Sequence, residues 1–213
     1  MLIFNLKEVF SLFCLISKIN NKITHSSNYK FTINAIGNHN ILNATASIVA
    51  AKLNGIKNKD INNALTNYVG VKRRFSFLGK KNMAYVYDDY AHHPTEIAAT
   101  LSAAKSLKNK LIVVFQPHRY TRTKILIREF INVLSKVDYL FLLETYSAGE
   151  KIIEGATSKD IFSKILKKNK KTTYIKNIVD LNKLMKPHTI NNNTIVFMGA
   201  GSISNIAKNY VNN

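Results

Sequence analysis

From residue 83 onward the chain alternates short apolar runs with longer amphipathic stretches. The runs predict strands at 83–88, 111–115, 138–143, 172–175 and 194–198. The stretches between and after them predict helices over 95–107, 122–135, 158–168, 178–186 and 202–210. Strands and helices in that rhythm predict an α/β fold, a doubly wound and mostly parallel sheet. The earlier part reads differently. A helix is expected over Leu6 to Ile19, then a polar turn, then a short strand from Tyr29 to Ile33. Gly37-Asn38-His39-Asn40 opens an Ala-rich helix running to about Leu53, with Asn38 as its N-cap. Gly55 ends it, and Lys59 to Tyr68 predicts a second short helix with Ile61, Ala64, Leu65 and Tyr68 on one face. Gly70-Val71-Lys72-Arg73-Arg74-Phe75 reads as the linker into the strand–helix unit.

Composition changes this picture little. The 213 residues suffice for one large domain or one and a half small ones, and 46% hydrophobic content argues against disorder. A formal charge of +19 invites a nucleic-acid reading. The excess, however, is lysine scattered among Asn and Ile, as in Lys167-Lys168-Asn169-Lys170-Lys171, with no aromatic-interleaved basic stripe. A Lys-, Asn- and Ile-rich composition accounts for it, and nucleic-acid binding is disfavoured. The single cysteine, Cys14, rules out an internal disulfide, suits a reducing cytoplasm and reads as a buried structural thiol. Lys7 and Glu8 interrupt the apolar start, so no membrane span is expected and a soluble, cytoplasmic protein is. His25 and His188 suggest no chemistry.

The chemistry-bearing residues fall where predicted strands end. Asp88-Asp89-Tyr90-Ala91-His92-His93-Pro94-Thr95-Glu96 places two carboxylates and two imidazoles between a strand and a helix whose first turn accepts Pro94. In open α/β sheets, ligands bind at that edge. Phe115-Gln116-Pro117-His118-Arg119-Tyr120-Thr121-Arg122-Thr123 follows the second strand. There Arg119 and Arg122, beside helix N–H groups, suit a carboxylate or phosphate. Glu144 to Glu150 is a polar loop at the same edge, and Gly199-Ala200-Gly201-Ser202 is either a phosphate-binding turn or a plain strand-to-helix turn. Asn40 and Asn43 share a helix face, and their amides suit a purine edge or a cap. Arg73 and Arg74 are either surface charge or a phosphate clamp. No phosphate loop of the form Gly-x4-Gly-Lys-Ser/Thr is present: Gly79 is the one glycine followed by lysine, and the position five before it is Arg74.

In order and spacing, from about residue 35 to the C-terminus, these strings resemble the Mur ligases. The Gln-Pro-His-Arg-Tyr-Thr-Arg-Thr string is the most discriminating of them. The resemblance implies that residues 1–69 are the C-terminal remnant of a central ATP-binding domain. Residues 70–213 would be the Rossmann-like C-terminal domain that closes over the site. It implies ATP and Mg²⁺ as cofactors, with Asn40 and Asn43 at the adenine, Arg74 at the phosphates and Asp89 at the ribose. Tyr90, His92, Arg119 and Arg122 would line the amino-acid end of the site, the two arginines at a carboxylate. Arg74 and His92 would be the catalytic pair, and no residue here is a metal ligand. The implied reaction joins L-alanine to UDP-N-acetylmuramate through an acyl phosphate, with charge stabilising the developing oxyanions. The sugar domain, most of the ATPase core and the phosphate loop are not in this sequence. The expectation is therefore a truncated or split ligase acting with a separate N-terminal or central portion. The alternative is a non-catalytic nucleotide-binding remnant.

Overall fold

The structure is a computed structural model that describes residues 2–5, 30–33 and 38–212. The helix expected over Leu6 to Ile19, the turn after it, Cys14 and His25 lie outside the described residues. The chain divides into two compact units, Met1–Gly70 and Val71–Asn213.

In the first unit, β1 (Leu2–Asn5) pairs antiparallel with β2 (Lys30–Ile33). Helices α1 (Asn38–Leu53) and α2 (Asn58–Thr66) follow. Phe31 and Ile33 alternate with polar neighbours on β2 and pack with Ala44, Ile48 and Ile61 in a small apolar core. Residue 38 is already helical, and β1 was not foreseen.

In the second unit one sheet holds β3 (Ser76–Lys81), β4 (Ala84–Asp89), β5 (Leu111–Phe115), β6 (Tyr139–Leu143), β7 (Thr172–Ile175) and β8 (Thr194–Met198). The strand order is β3-β4-β8-β5-β6-β7. All neighbours from β4 to β7 run parallel, and β3 alone is antiparallel, at the edge beside β4. Every residue of β5 and β8 is buried, as a strand covered on both faces requires. Helices α3 (Pro94–Lys105), α5 (Ile127–Leu134) and α6 (Ser158–Ile165) cover one face. There Ile97, Phe130, Leu134 and Ile161 meet Leu111, Val113 and Phe115. Helices α7 (Leu181–Met185) and α8 (Ile203–Asn212) cover the other face, where Met185, Ile203 and Ala207 meet Ile112 and Val114. The doubly wound, mostly parallel expectation is thus met.

Three local expectations change. Strand β3 falls between the linker expected over 70–75 and the strand expected at 83–88, where no element is expected, because a bulge at Gly79 (φ +146°) shifts its register and breaks the period-two pattern. The helix expected over 122–135 starts earlier and breaks at Leu126, giving α4 (Tyr120–Ile125) and α5. The helix expected over 178–186 is a 3₁₀ turn at Ile178–Asp180, then α7, then a second 3₁₀ turn at Lys186–His188.

Candidate functional site

Because β4, β5, β6 and β8 are parallel, the loops at their carboxyl ends emerge on one edge of the sheet. β8 lies between β4 and β5 although the chain reaches it last, so the edge at β4, β8 and β5 is a topological switch point. Residues 90–93, 116–119, 144–150 and 199–202 meet there.

The β4 side is a buried frame. Asp88 is 1% exposed, and its Oδ2 accepts the Ser204 hydroxyl at 2.6 Å and faces Arg73 Nε at 3.8 Å. Arg73 also donates to the Gly199 carbonyl at 2.6 Å and lies 4.6 Å over the Tyr90 ring. The arginine pair therefore does not act as a clamp: Arg73 turns inward and Arg74 is exposed. Asp89 is 4% exposed, and its two oxygens accept the N–H groups of Phe75 (2.8 Å) and Ala91 (2.6 Å). Burial pushes the Asp89 carboxyl up, outweighing those hydrogen bonds, the Thr100 hydroxyl and the charge of Arg74.

His92 and His93 lead into α3. The His93 ring accepts the Thr95 N–H, and Glu96 Oε2 accepts the N–H groups of His92 and His93, closing a capping box. Burial raises the Glu96 carboxyl, but those N–H groups together with the charges of His92 and Arg74 outweigh it and hold the group below its ordinary value. His92 Nδ1–H donates to the Tyr90 carbonyl at 2.9 Å, so proton exchange is left to Nε2.

The β5 side is different. Arg119 is exposed, with φ +70° and ψ 134°, a backbone conformation that non-glycine residues rarely adopt. The Tyr146 carbonyl accepts its N–H at 2.9 Å, and its own carbonyl accepts the Thr123 hydroxyl at 2.9 Å. Arg122 donates one nitrogen to both the His118 ring Nδ1 and the His118 carbonyl, each at 3.2 Å. Burial lowers the His118 imidazole, helped by Arg122, His92 and Arg119 against Glu150. A neutral ring is what an arginine donor requires. Among the described residues, neither Arg119 nor Arg122 forms an ion pair with a carboxylate.

Two sequence readings change here. The helix N–H groups beside Arg119 are not open to an anion, because Glu150 accepts the Thr121 N–H (3.0 Å) and hydroxyl (2.7 Å). The Gly199-Ala200-Gly201 turn is no open cradle. A Cβ at Gly199 would lie 2.7 Å from the Gln116 carbonyl, and one at Gly201 would lie 2.6 Å from Tyr146. The glycines admit close packing. Asn40 and Asn43 lie near the start of α1, in the first unit. Sequence reasoning assigned no role to His118 or Tyr146, although both fall within the quoted strings. Among the described residues no group of three or more His, Cys, Asp or Glu could hold a metal ion, and no helix is long and apolar enough to cross a membrane.

Fold and edge together define an open α/β domain whose carboxyl edge presents two guanidinium groups without an ion-pair partner among the described residues. The profile described as Mur ligase, glutamate ligase domain matches residues 73–201. The chain belongs to the Mur ligase family. It is 41% identical over 199 residues to UDP-N-acetylmuramate–L-alanine ligase of Wigglesworthia glossinidia brevipalpis, covering 87% of this chain and 42% of that protein. It is 43% identical over 193 residues to the ligase of the same name from Buchnera aphidicola, covering 84% and 39%. Among solved structures, UDP-N-acetylmuramate–alanine ligase of Thermotoga maritima superposes with a TM-score of 0.72 at 29% identity, covering 89% of this chain and 41% of that one. The chain thus spans about two fifths of the length of the relatives it matches.

Proposed function

We propose that this chain supplies the amino-acid-binding, closing part of an ATP-dependent ligase that joins L-alanine to UDP-N-acetylmuramate in peptidoglycan precursor synthesis. Residues 1–69 are read as the end of the central ATP-binding domain and 70–213 as the C-terminal domain. The observation that carries the proposal is the pair Arg119 and Arg122, fixed by backbone and by His118 yet without an ion-pair partner among the described residues. Two guanidinium groups in that state suit the carboxylate of a small amino acid. Holding the carboxylate leaves the amine free to attack an activated carboxyl, and Tyr90 and His92 line the same edge.

Arg74, exposed beside Tyr90, is the guanidinium available to the phosphates of ATP. Asn40 and Asn43 are assigned to the adenine. Asp89 can take ribose hydroxyls only on lone pairs that Phe75 and Ala91 leave open. The described residues do not fit a site for Mg²⁺, having no group of three or more His, Cys, Asp or Glu placed to hold it. Arg74 would share the phosphates with a Gly-x4-Gly-Lys-Ser/Thr loop carried by another portion of the ligase, since residues 1–213 contain none. The alternative reading is a nucleotide-binding remnant without catalysis.

The test is ADP release with ATP, Mg²⁺, UDP-N-acetylmuramate and L-alanine, for this chain alone and mixed with the N-terminal and central portion of a related ligase. Activity in the mixture alone supports the proposal. Silence in both from a folded sample supports the remnant.

A further inference from the structure

Tyr146 touches one group that fixes each arginine, the Arg119 N–H and the His118 ring. Its N–H donates to the Pro117 carbonyl and its carbonyl accepts the Arg119 N–H, both at 2.9 Å, so the loops after β5 and β6 are joined as a short parallel bridge. Its ring stacks on His118, with centroids 5.4 Å apart and planes 12° apart. The other side of the ring's base is set by Gly201, whose missing Cβ would lie 2.6 Å from Tyr146 Cγ. Yet Tyr146 is 41% exposed, more than a residue kept only for packing needs to be.

We propose that Tyr146 is a positioning residue for the amino-acid carboxylate. Its main chain holds Arg119 in a left-handed conformation, and its ring holds His118 in the orientation that directs Arg122. This rests on the ligase reading above and deepens it. The ring covers an imidazole that also faces Arg122, Arg119, His92 and Glu150. With the ring gone, water reaches His118, protonation becomes easier, and an imidazolium cannot accept from Arg122.

The test compares the full chain with Tyr146→Phe, Tyr146→Ala and Tyr146→Leu, the last keeping bulk without an aromatic face. Two readouts are used: the His118 titration by NMR and the KM for L-alanine and ATP in the reconstituted mixture. In Tyr146→Ala and Tyr146→Leu the His118 pKa rises toward about 6.5. In the same two variants the KM for L-alanine rises about tenfold, the loss expected for a misdirected charge-assisted hydrogen bond, while that for ATP is unchanged. Tyr146→Phe matches the wild type in both. An unmoved His118 titration, or an unmoved KM for L-alanine in an active mixture, overturns the proposal. A silent wild-type mixture overturns the ligase reading instead, and the titration still decides whether Tyr146 controls His118.

Discussion

The β4 and β5 sides of one sheet edge handle charge in opposite ways. On the β4 side, Asp88 and Asp89 are buried and engaged by Ser204, Arg73 and two backbone N–H groups. On the β5 side, Arg119 is exposed and Arg122 half-buried, and their fixed partners are neutral: a carbonyl, an imidazole, a backbone amide. A buried carboxylate must be matched within the fold, because leaving it unpaired is costly. A cation meant for an incoming carboxylate must not be matched in advance. On the proposed function, the β4 side is frame and the β5 side is receptor, though both come from equally polar strings.

The largest expected effect tests the frame. Asp88→Ala takes the facing carboxylate from Arg73 and the acceptor from Ser204, and lowers stability by about 3 kcal/mol, the range for removing one member of a buried pair. Urea denaturation of the full chain measures this. A loss under about 0.5 kcal/mol, the size of an ordinary surface substitution, would break the comparison.

Next comes the receptor. Arg122→Ala should lower kcat/KM for L-alanine about a hundredfold in the reconstituted mixture, corresponding to roughly 2.7 kcal/mol of lost charge-assisted binding. The urea midpoint should stay within error of wild type. A variant that loses stability but keeps alanine use would assign Arg122 to the frame.

The sequence showed which edge would matter but not this division of labour. Periodicity located β4, β5, β6 and β8, because buried parallel strands carry apolar runs, and β-branched and aromatic residues marked β7 at the sheet edge. It missed β3, where the Gly79 bulge defeats alternation, and the break at Leu126, where apolar residues continue across two helices. Asp88 and Asp89 looked like chemistry because adjacent carboxylates are conspicuous in a string. Their burial is set with Phe75, 14 positions from Asp89, and Ser204, 116 positions from Asp88. Arg73 and Arg74 are neighbours with opposite fates, decided by a positive φ at Arg73 and by contacts with Gly199. No local pattern distinguishes them.

A smaller effect separates the elements of the frame. Ser204→Ala removes one hydroxyl donor to Asp88 while leaving Arg73 beside it, and should cost about 1.5 kcal/mol, less than Asp88→Ala. The double variant tells whether the two act as one unit. A combined loss equal to that of Asp88→Ala alone means that the hydroxyl matters only through the carboxylate. Full additivity would separate Ser204 from the frame.

The smallest effect lies between the two sides, at Glu96. Its folded-state pKa is lowered, so its contribution is present above the unfolded-chain value near 4.3 and is lost as pH falls through the lower folded value. Glu96→Gln should therefore destabilise the chain at neutral pH by about 0.5 kcal/mol, a figure kept small because the side chain is 36% exposed and screened by solvent. Once the pH has fallen below the lowered folded value the carboxyl is protonated in both states and the two proteins should converge. Urea midpoints followed from pH 7 downward until the gap stops changing test this. A gap that persists in acid would mean that Glu96 acts through the shape of its capping box, since an amide oxygen still accepts from His92 and His93 less strongly than a carboxylate does.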